Sequence, residues 1–230
     1  MIFEANAEQW REVLYPLGFL SSAAFGGRAL LQWIQSEIKK ESVVTKKFWQ
    51  LSILGNVLLM LHALIQLQFH VCVVQGCNAV ISWRNINLMK EKHASLKTVF
   101  LLLFATIALT ALAFLAQGMV FEGVSHWFRI PLSPWSQHRI LYLSFYWHIV
   151  GFIGIVLFAS RFWVQWWNAE RNKKSTLSPS FWWISLIGDL LCLFYFAQIK
   201  DPVNLIGPAL SLIPYIRNLM LIHRSKKAAS

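Results

Sequence analysis

The stretch FGGRALLQWIQSE, residues 25–37, places an arginine and a glutamine inside an otherwise apolar segment. The stretch FASRFWVQWWNAE, residues 158–170, repeats Phe, Arg, Gln, Trp and Glu at the same spacing. A shift of 133 residues aligns residues 18–88 with residues 151–221 without a gap, and 17 of the 71 aligned positions are identical. The sequence therefore predicts an internal repeat, with the same polar residues at matching places in both copies.

The composition is typical of a membrane protein. Of the 230 residues, 57% are hydrophobic and 13% are charged, whereas soluble domains carry about 25% charged residues. Because a chain in lipid must satisfy its backbone polar groups internally, we predict an all-α integral membrane protein. Glu4, Glu8 and Glu12 lie where a cleavable signal would be basic, so the first apolar segment is expected to be retained. The three cysteines show no ligand spacing, and neither a metal nor a cofactor is predicted.

The apolar segments of the sequence predict seven membrane helices. Residues 48–83 exceed one span and are therefore divided into two helices. Lys200, Asp201 and Pro202 form a loop by their composition, so the matching residues 67–69 are also predicted to form a loop. The predicted architecture is 3+1+3, in which one linker helix joins two parallel three-helix repeats in a SWEET-like order. The predicted segments are residues 15–33, 48–83 (two helices), 98–121, 140–167, 181–199 and 202–216.

Basic residues are distributed unevenly among the predicted loops. Thirteen of the 21 lysines and arginines fall in the loops after helices 1, 3, 5 and 7, and four fall on the opposite side. Since basic loops remain in the cytoplasm, the N-terminus is predicted outside and the C-terminus inside. The net charge of +11 then reflects topology and attraction to anionic lipids, and no nucleic-acid partner is predicted. The predicted domains are the first repeat (13–90), the linker helix (96–121), an extracytoplasmic loop (122–139), the second repeat (140–221) and a basic cytoplasmic tail (222–230).

Arg28 and Arg161 lie inside predicted spans. Arg28 is eight residues from the cytoplasmic end of its helix, about 12 Å deep in a hydrocarbon core whose half-thickness is about 15 Å. An arginine in a span costs about 2.5–3.5 kcal/mol, so both are expected to face a polar interior. Gln32 and Gln165 follow the arginines by four residues and share their helix faces. Two interpretations remain open: the arginines reach helix ends for structural reasons, or they and the glutamines bind an anionic group between the two halves.

Asn56 and Asp189 are further candidate ligand-binding residues. They occupy matching positions on the second helix of each copy, and each follows a glycine. Asp189 is expected either to partner an arginine or to carry a proton.

The remaining residues of the motif are interpreted as structural. Glu37 and Glu170 are expected at helix ends, with Lys40 and Lys173 as their nearest cations. Trp33 and Trp166 point about 140° away from their arginines and are expected to pack or to anchor at the membrane interface. The matched pair Trp49 and Trp182 completes this structural set.

The pattern F-x-x-R-x-x-x-Q-W-x-x-S/A-E, followed by a basic loop and F-W-x-x-S-x-x-G, resembles the lipid A biosynthesis N-terminal domain family. The three-helix unit of that family is similar to the repeats of PQ-loop and SWEET transporters, although this chain lacks a Pro-Gln dipeptide. The resemblance covers both repeats. In the first copy the motif residues are Phe25, Arg28, Gln32, Trp33, Ser36, Glu37, Phe48, Trp49, Ser52 and Gly55, and in the second they are Phe158, Arg161, Gln165, Trp166, Glu170, Phe181, Trp182, Ser185 and Gly188.

The resemblance implies a role in lipid A assembly at a bacterial inner membrane. It implies the membrane domain of a lipid-A-disaccharide synthase, which would anchor and present an anionic glycolipid, with membrane lipids and a phosphorylated lipid A precursor as partners. That synthase is a glycosyltransferase, and the loops of this chain are too short for a βαβ unit of about 30 residues. A glycosyltransferase domain is therefore expected as a fused or associated cytoplasmic partner on the C-terminal side. The alternative is a SWEET-like or PQ-loop-like transporter of a small solute or lipid.

The charge distribution generates a topology prediction. A cysteine introduced at Ser42, in the loop after the first helix, is expected to resist an impermeant thiol reagent added outside the cell, because that loop is predicted to be cytoplasmic. A reporter fused after Ser230 is expected to be inactive in the periplasm. Labelling of the Ser42 position in intact cells would contradict the prediction.

Overall fold

A computed structural model describes residues 9–121, 127, 144–198 and 202–229. These residues form seven long helices, and no strand occurs among them, which confirms the predicted all-α class. The helices are α1 (Leu17–Lys39), α2 (Lys46–Ile65), α3 (Phe69–Leu88), α4 (Leu96–Phe121), α5 (Phe145–Asn172), α6 (Pro179–Gln198) and α7 (Pro202–Ala229). The predicted loop at 122–139 lies outside the described residues except at Trp127.

Four of the helices are long and apolar enough to cross a membrane. They are α2, α4 over Leu96–Gln117, α5 and α6. The helices α1, α3 and α7 are equally long but carry more polar side chains, among them Arg28, Arg84 and Arg217. Seven helices are therefore confirmed, and a crossing of the membrane by all seven stays a prediction.

The turn predicted at residues 67–69 is present. The helix α2 ends at Ile65 and α3 begins at Phe69. Leu67 has a φ of 58°, a left-handed conformation that neither helix could contain. The backbone N–H of Gln68 donates to the carbonyl of Ala63 at 2.8 Å, and the N–H of Phe69 donates to the carbonyl of Trp127 at 2.9 Å. The repeat thus located a turn that the hydropathy of residues 48–83 had hidden.

The described residues belong to two compact units that do not follow the predicted domain boundaries. The first unit combines the start of α1, most of α2, α3 and α4. The second contains Gly26–Trp49, Leu88–Glu91 and the helices α5 to α7. The helix α1 contributes to both, and its motif residues from Arg28 onward belong to the second unit.

The first unit has its core at the turn between α2 and α3. Ala63, Leu67, Cys72 and Phe114 are buried together. The Trp127 ring packs against this cluster, with its centroid 4.7 Å from that of Phe69. Burial of these apolar surfaces stabilises the turn and packs α4 against the hairpin formed by α2 and α3.

The second unit is built on a close approach of α5 and α6. A Cβ added at Gly154 would lie 3.0 Å from the backbone nitrogen of Cys192, and one added at Gly188 would lie 3.0 Å from that of Phe158. Such contacts are tighter than most Cβ contacts, and because the facing atoms belong to the backbone, a side chain at either position would require the helices to shift. The rings of Phe162 and Phe181 continue the contact, with centroids 5.7 Å apart. The order of these pairs shows that α5 and α6 run antiparallel.

Some contacts occur at both copies of the aligned sequence. Gly55 packs on the ring of Phe25 in the first unit, as Gly188 packs on Phe158 in the second. Similarly, Gly18 packs on His62, and its counterpart Gly151 packs on Tyr195. Each pair is related to the other by the 133-residue offset.

An ion pair connects α1 with α7 inside the second unit. Arg217 donates from Nε and Nη2 to the two carboxylate oxygens of Glu37, and the Nη2–Oε2 distance is 2.8 Å. Lys40, the partner expected from the sequence, lies 3.8 Å from the same carboxylate. The Arg217 guanidinium holds the pKa of Glu37 below its ordinary value. Arg217 is 180 residues from Glu37 in the sequence, so no local spacing indicated this partner.

The glycine contacts generate a stability prediction. Gly188→Ala is expected to destabilise the protein by about 1–3 kcal/mol, because the new Cβ meets the backbone of α5 rather than a movable side chain. Gly27→Ala is the matched control. No atom lies within 4 Å of a Cβ at Gly27, and alanine gains up to about 1 kcal/mol over glycine in a helix. Unfolding in detergent by a chemical denaturant measures both, and equal stability of the two variants would contradict the prediction.

The ion pair generates a prediction about pH. Since the folded-state pKa of Glu37 is lowered, its contribution to stability is complete above the unfolded value of about 4.3 and is lost as pH falls through the folded value. Wild type is therefore expected to be more stable than Glu37→Gln at pH 7, and the difference should shrink as the pH falls below about 4.3, because the carboxylate is then progressively protonated. Unfolding at a series of pH values measures this difference. The exposed Glu41→Gln serves as control, and a wild-type advantage over Glu37→Gln that persists unchanged at pH 3 would refute the prediction.

Candidate functional site

Arg28 and Arg161 are both buried in the second unit. Arg28 lies on α1 and is 8% exposed, and Arg161 lies on α5 and is 2% exposed. The two guanidinium groups approach the same aromatic ring, because the Cζ atoms lie 5.3 Å and 5.0 Å from the centroid of Phe162. Two positive charges are thus held close together in an apolar surrounding, where charges interact more strongly than in water.

Further aromatic rings surround the two guanidinium groups. The Cζ atom of Arg161 lies 3.5 Å from the ring centroid of Phe158. Nη1 of Arg161 donates to the hydroxyl of Tyr215 at 2.7 Å. Arg28 lies 5.2 Å from the ring centroid of Phe48. Cation–π contacts contribute about 0.5–2 kcal/mol each and stabilise a guanidinium without neutralising it. The rings therefore favour burial of the cations but leave their charge available to an anion.

The motif glutamines hold the segments that follow their helices. Gln32 donates to the carbonyl of Val43, and Gln165 donates to the carbonyl of Thr176, both at 3.4 Å. Val43 and Thr176 are related by the 133-residue offset, so the same hydrogen bond forms in both copies.

Gln32 also joins α1 to α7 through a reciprocal amide pair. Its Nε2 donates to Oδ1 of Asn218 at 2.8 Å and to Oγ of Ser36 at 2.9 Å. Its Oε1 accepts from Nδ2 of Asn218 at 3.1 Å. Both the nitrogen and the oxygen of the Gln32 amide are thus hydrogen-bonded to protein partners in this structure.

Asn56 and Asp189 lie in different units. Asn56 belongs to the first unit, where its Nδ2 donates to Oγ of Ser82 at 3.4 Å. Asp189 belongs to the second unit and is completely buried. Among the described residues, neither carboxylate oxygen of Asp189 has a hydrogen-bond partner. The charge of Arg161 acts on Asp189 through space without forming an ion pair with it.

The tryptophans and Glu170 of the motif are largely buried, and several of them form hydrogen bonds of their own. Trp49 is fully buried and donates from Nε1 to Oγ of Ser175 at 2.8 Å. Trp166 donates from Nε1 to Glu170 at 3.1 Å, and Lys173 lies 3.3 Å from the same carboxylate. Trp182 is 2% exposed, and Trp33 is half-buried.

Sequence reasoning missed Tyr215 and Asn218 on α7. Neither belongs to the Arg-Gln-Trp-Glu motif, and both reach the site only because α7 packs back onto the other helices of the unit. Asn218 carried a usable signal, since it is identical to Asn85 at the 133-residue offset. Tyr215 carried none, because its counterpart is Ser82.

Comparison with known proteins gives consistent results. A sequence model of the family described as Lipid A Biosynthesis N-terminal domain matches residues 17–87 and 150–220, two segments separated by the same 133-residue offset. Lipid-A-disaccharide synthase of Chlamydia felis is 37% identical over 221 residues, which cover 94% of this chain and 34% of that protein. The proteins of the same name from Chlamydia pneumoniae and Chlamydia trachomatis serovar D are 34% and 32% identical over 216 residues, covering 94% and 92% of this chain and 34% of each relative.

The alignments cover nearly all of this chain but only part of each relative. The chain spans about a third of the length of the curated relatives that it matches. No solved structure matches it. The two matched segments together cover more than half of the chain and include both buried arginines, and the chain therefore belongs to the lipid A biosynthesis N-terminal domain family.

Proposed function

We propose that this chain is a membrane module of lipid A biosynthesis that anchors and presents an anionic glycolipid, with Arg28 and Arg161 as the residues that contact its phosphate. The observation that carries the proposal is the pair of buried guanidinium groups on the ring of Phe162. Two like charges held together at this depth are costly. An anion bound to both would remove the repulsion and compensate the lost hydration of each group.

Arginine has the chemistry that this role requires. Its planar guanidinium can donate two parallel hydrogen bonds to phosphate oxygens and keeps its charge when buried. The surrounding rings of Phe48, Phe158 and Phe162 restrict the orientation of both guanidinium groups. The amides of Gln32 and Gln165, which hold neighbouring segments, complete the proposed site. Asn56, another candidate from the sequence, belongs to the first unit and is not part of this proposed site.

Membership of the family supports the pathway. The relatives are named lipid-A-disaccharide synthase and extend well beyond the region matched here. We therefore propose that the module acts with a glycosyltransferase domain, fused or associated on the cytoplasmic side, at a bacterial inner membrane. The basic residues of the cytoplasmic loops support this orientation.

The paired family matches support a 3+1+3 architecture. The matched segments begin at residues 17 and 150, as the internal repeat requires. The recurring contacts Phe25–Gly55 and Phe158–Gly188 agree with two similar three-helix repeats joined by the linker helix α4.

Substitution of the arginines tests the function. Arg28→Lys and Arg161→Lys keep the positive charge but lose the two parallel N–H donors of the guanidinium. Each variant is therefore expected to bind a diacylated sugar 1-phosphate about 10-fold more weakly. Arg171→Lys changes an exposed arginine at the end of α5 and is the matched control. Binding of radiolabelled lipid to the full chain in nanodiscs measures the affinity.

The dephosphorylated form of the same glycolipid distinguishes the possible outcomes. The lysine variants should bind it as wild type does, because no phosphate contact is lost. If wild type binds the phosphorylated and dephosphorylated lipids equally, the phosphate site does not exist. Uptake of either lipid or of a small sugar into proteoliposomes would instead favour a transporter.

A further inference from the structure

Three buried side chains on the packed helices α5 and α6 retain unused hydrogen-bonding capacity. Nε of Arg161, Nε1 of Trp182 and both carboxylate oxygens of Asp189 have no hydrogen-bond partner among the residues that the structure describes. All three residues are 2% exposed or less. A buried donor or acceptor without a partner costs about 1–3 kcal/mol, so three such residues in one small unit call for an explanation.

The three residues lie along a two-turn stretch of the contact between α5 and α6, which together with Tyr215 is called the layer. The contacts between α5 and α6 pair Phe158 with Gly188 and Phe162 with Phe181. Arg161 therefore lies at a level between Trp182 and Asp189, which are two turns apart on α6. Tyr215 of α7 closes the layer. Its hydroxyl accepts from Arg161 at 2.7 Å, and its ring centroid lies 5.8 Å from that of Trp182.

The counterparts of Trp182, Asp189 and Tyr215 in the first copy have hydrogen-bond partners within the protein. Trp49, the counterpart of Trp182, donates to Ser175. Asn56 and Ser82, the counterparts of Asp189 and Tyr215, are hydrogen-bonded to each other. At the matching positions 49/182 and 56/189, the polar side chain thus has a hydrogen-bond partner in the first copy and none among the described residues in the second.

We propose that Arg161, Trp182 and Asp189 together bind the headgroup of a phosphorylated sugar lipid, and that Asp189 determines specificity by accepting a hydrogen bond from a sugar hydroxyl. This inference rests on the proposed function and names a second contact of the same ligand. Arg161 and Trp182 are donors and suit the oxygens of a phosphate. Asp189 offers acceptor oxygens, which a phosphate dianion cannot satisfy but a hydroxyl can.

The charges on the neighbouring elements agree with this division. Arg161 is the cation that acts on Asp189, while Arg28 shares the Phe162 ring with Arg161. A phosphate located at the two guanidinium groups would leave the Asp189 end of the layer to an uncharged part of the headgroup. A simple phospholipid phosphate would satisfy only the donors and leave Asp189 without a partner.

The experiment compares two lipids with the same phosphate group. Wild-type full chain in phosphatidylcholine nanodiscs is titrated with a diacylated sugar 1-phosphate and with phosphatidic acid, a phosphomonoester that has two acyl chains and no sugar. Wild type should bind the sugar phosphate about 10-fold more tightly, the difference expected for one hydrogen bond to a charged group. In Asp189→Asn the preference should fall to about threefold or less.

Asparagine is the conservative choice because the first copy carries Asn56 at the matching position. Asn56→Ala is the matched control and should keep the wild-type preference. Trp182→Phe is a second variant that removes only the unpartnered Nε1. It should weaken the binding of both lipids by about 10-fold, which corresponds to one hydrogen bond to a charged group, whereas Trp49→Phe should leave both affinities unchanged.

Each outcome separates this inference from the proposed function. Equal binding of the two lipids by wild type would overturn the role of Asp189 while leaving the phosphate site intact, and internal water would then be the partner of its carboxylate. An unchanged preference in Asp189→Asn, or unchanged affinities in Trp182→Phe, would also overturn it. Failure of wild type to bind either lipid would remove both proposals together.

Discussion

The burial of a permanently charged guanidinium is the constraint on which the second unit depends. Arginine does not lose its proton inside a protein, so its charge must be compensated where it lies. The protein surrounds Arg161 with Phe158, Phe162 and the Tyr215 hydroxyl, and it places the Cζ atom of Arg28 5.3 Å from the centroid of the same Phe162 ring. These contacts form only when helices α1, α5 and α7 pack together. The burial of the arginines therefore depends on the packing of the whole unit.

The supporting contacts allow the helices to approach each other closely around the arginines. Glycines at 154 and 188 bring the backbones of α5 and α6 together one to two turns from Arg161. The Gln32–Asn218 amide pair and the Glu37–Arg217 ion pair connect α1 to α7 on the far side. Several polar side chains that would be costly in lipid are therefore bonded to one another, and on α5 and α6 the buried groups without a hydrogen-bond partner among the described residues belong to Arg161, Trp182 and Asp189.

Duplication explains how such a layer can differ between two similar copies. The recurring contacts of Gly55 and Gly188 with Phe25 and Phe158 maintain the framework. Once the framework is stable, a position such as 189 can change from an amide to a carboxylate without a partner from the protein. Under the proposal above, the copy that carries Asp189 provides specificity for the ligand, while the other copy keeps the packing role.

The sequence by itself determined the helices, the hidden turn at residues 67–69 and the two arginines as the unusual residues, because these follow from local hydropathy and from a repeat visible along the chain. It also indicated the local pair of Glu37 with Lys40. Only the tertiary structure decided that Arg217 binds Glu37, that Asn218 binds Gln32 and that Tyr215 reaches Arg161. Those partners lie 54 to 186 residues apart, and hydrogen bonds require positions within about 3 Å. Such proximity depends on how whole helices pack, and no spacing along one chain contains that information.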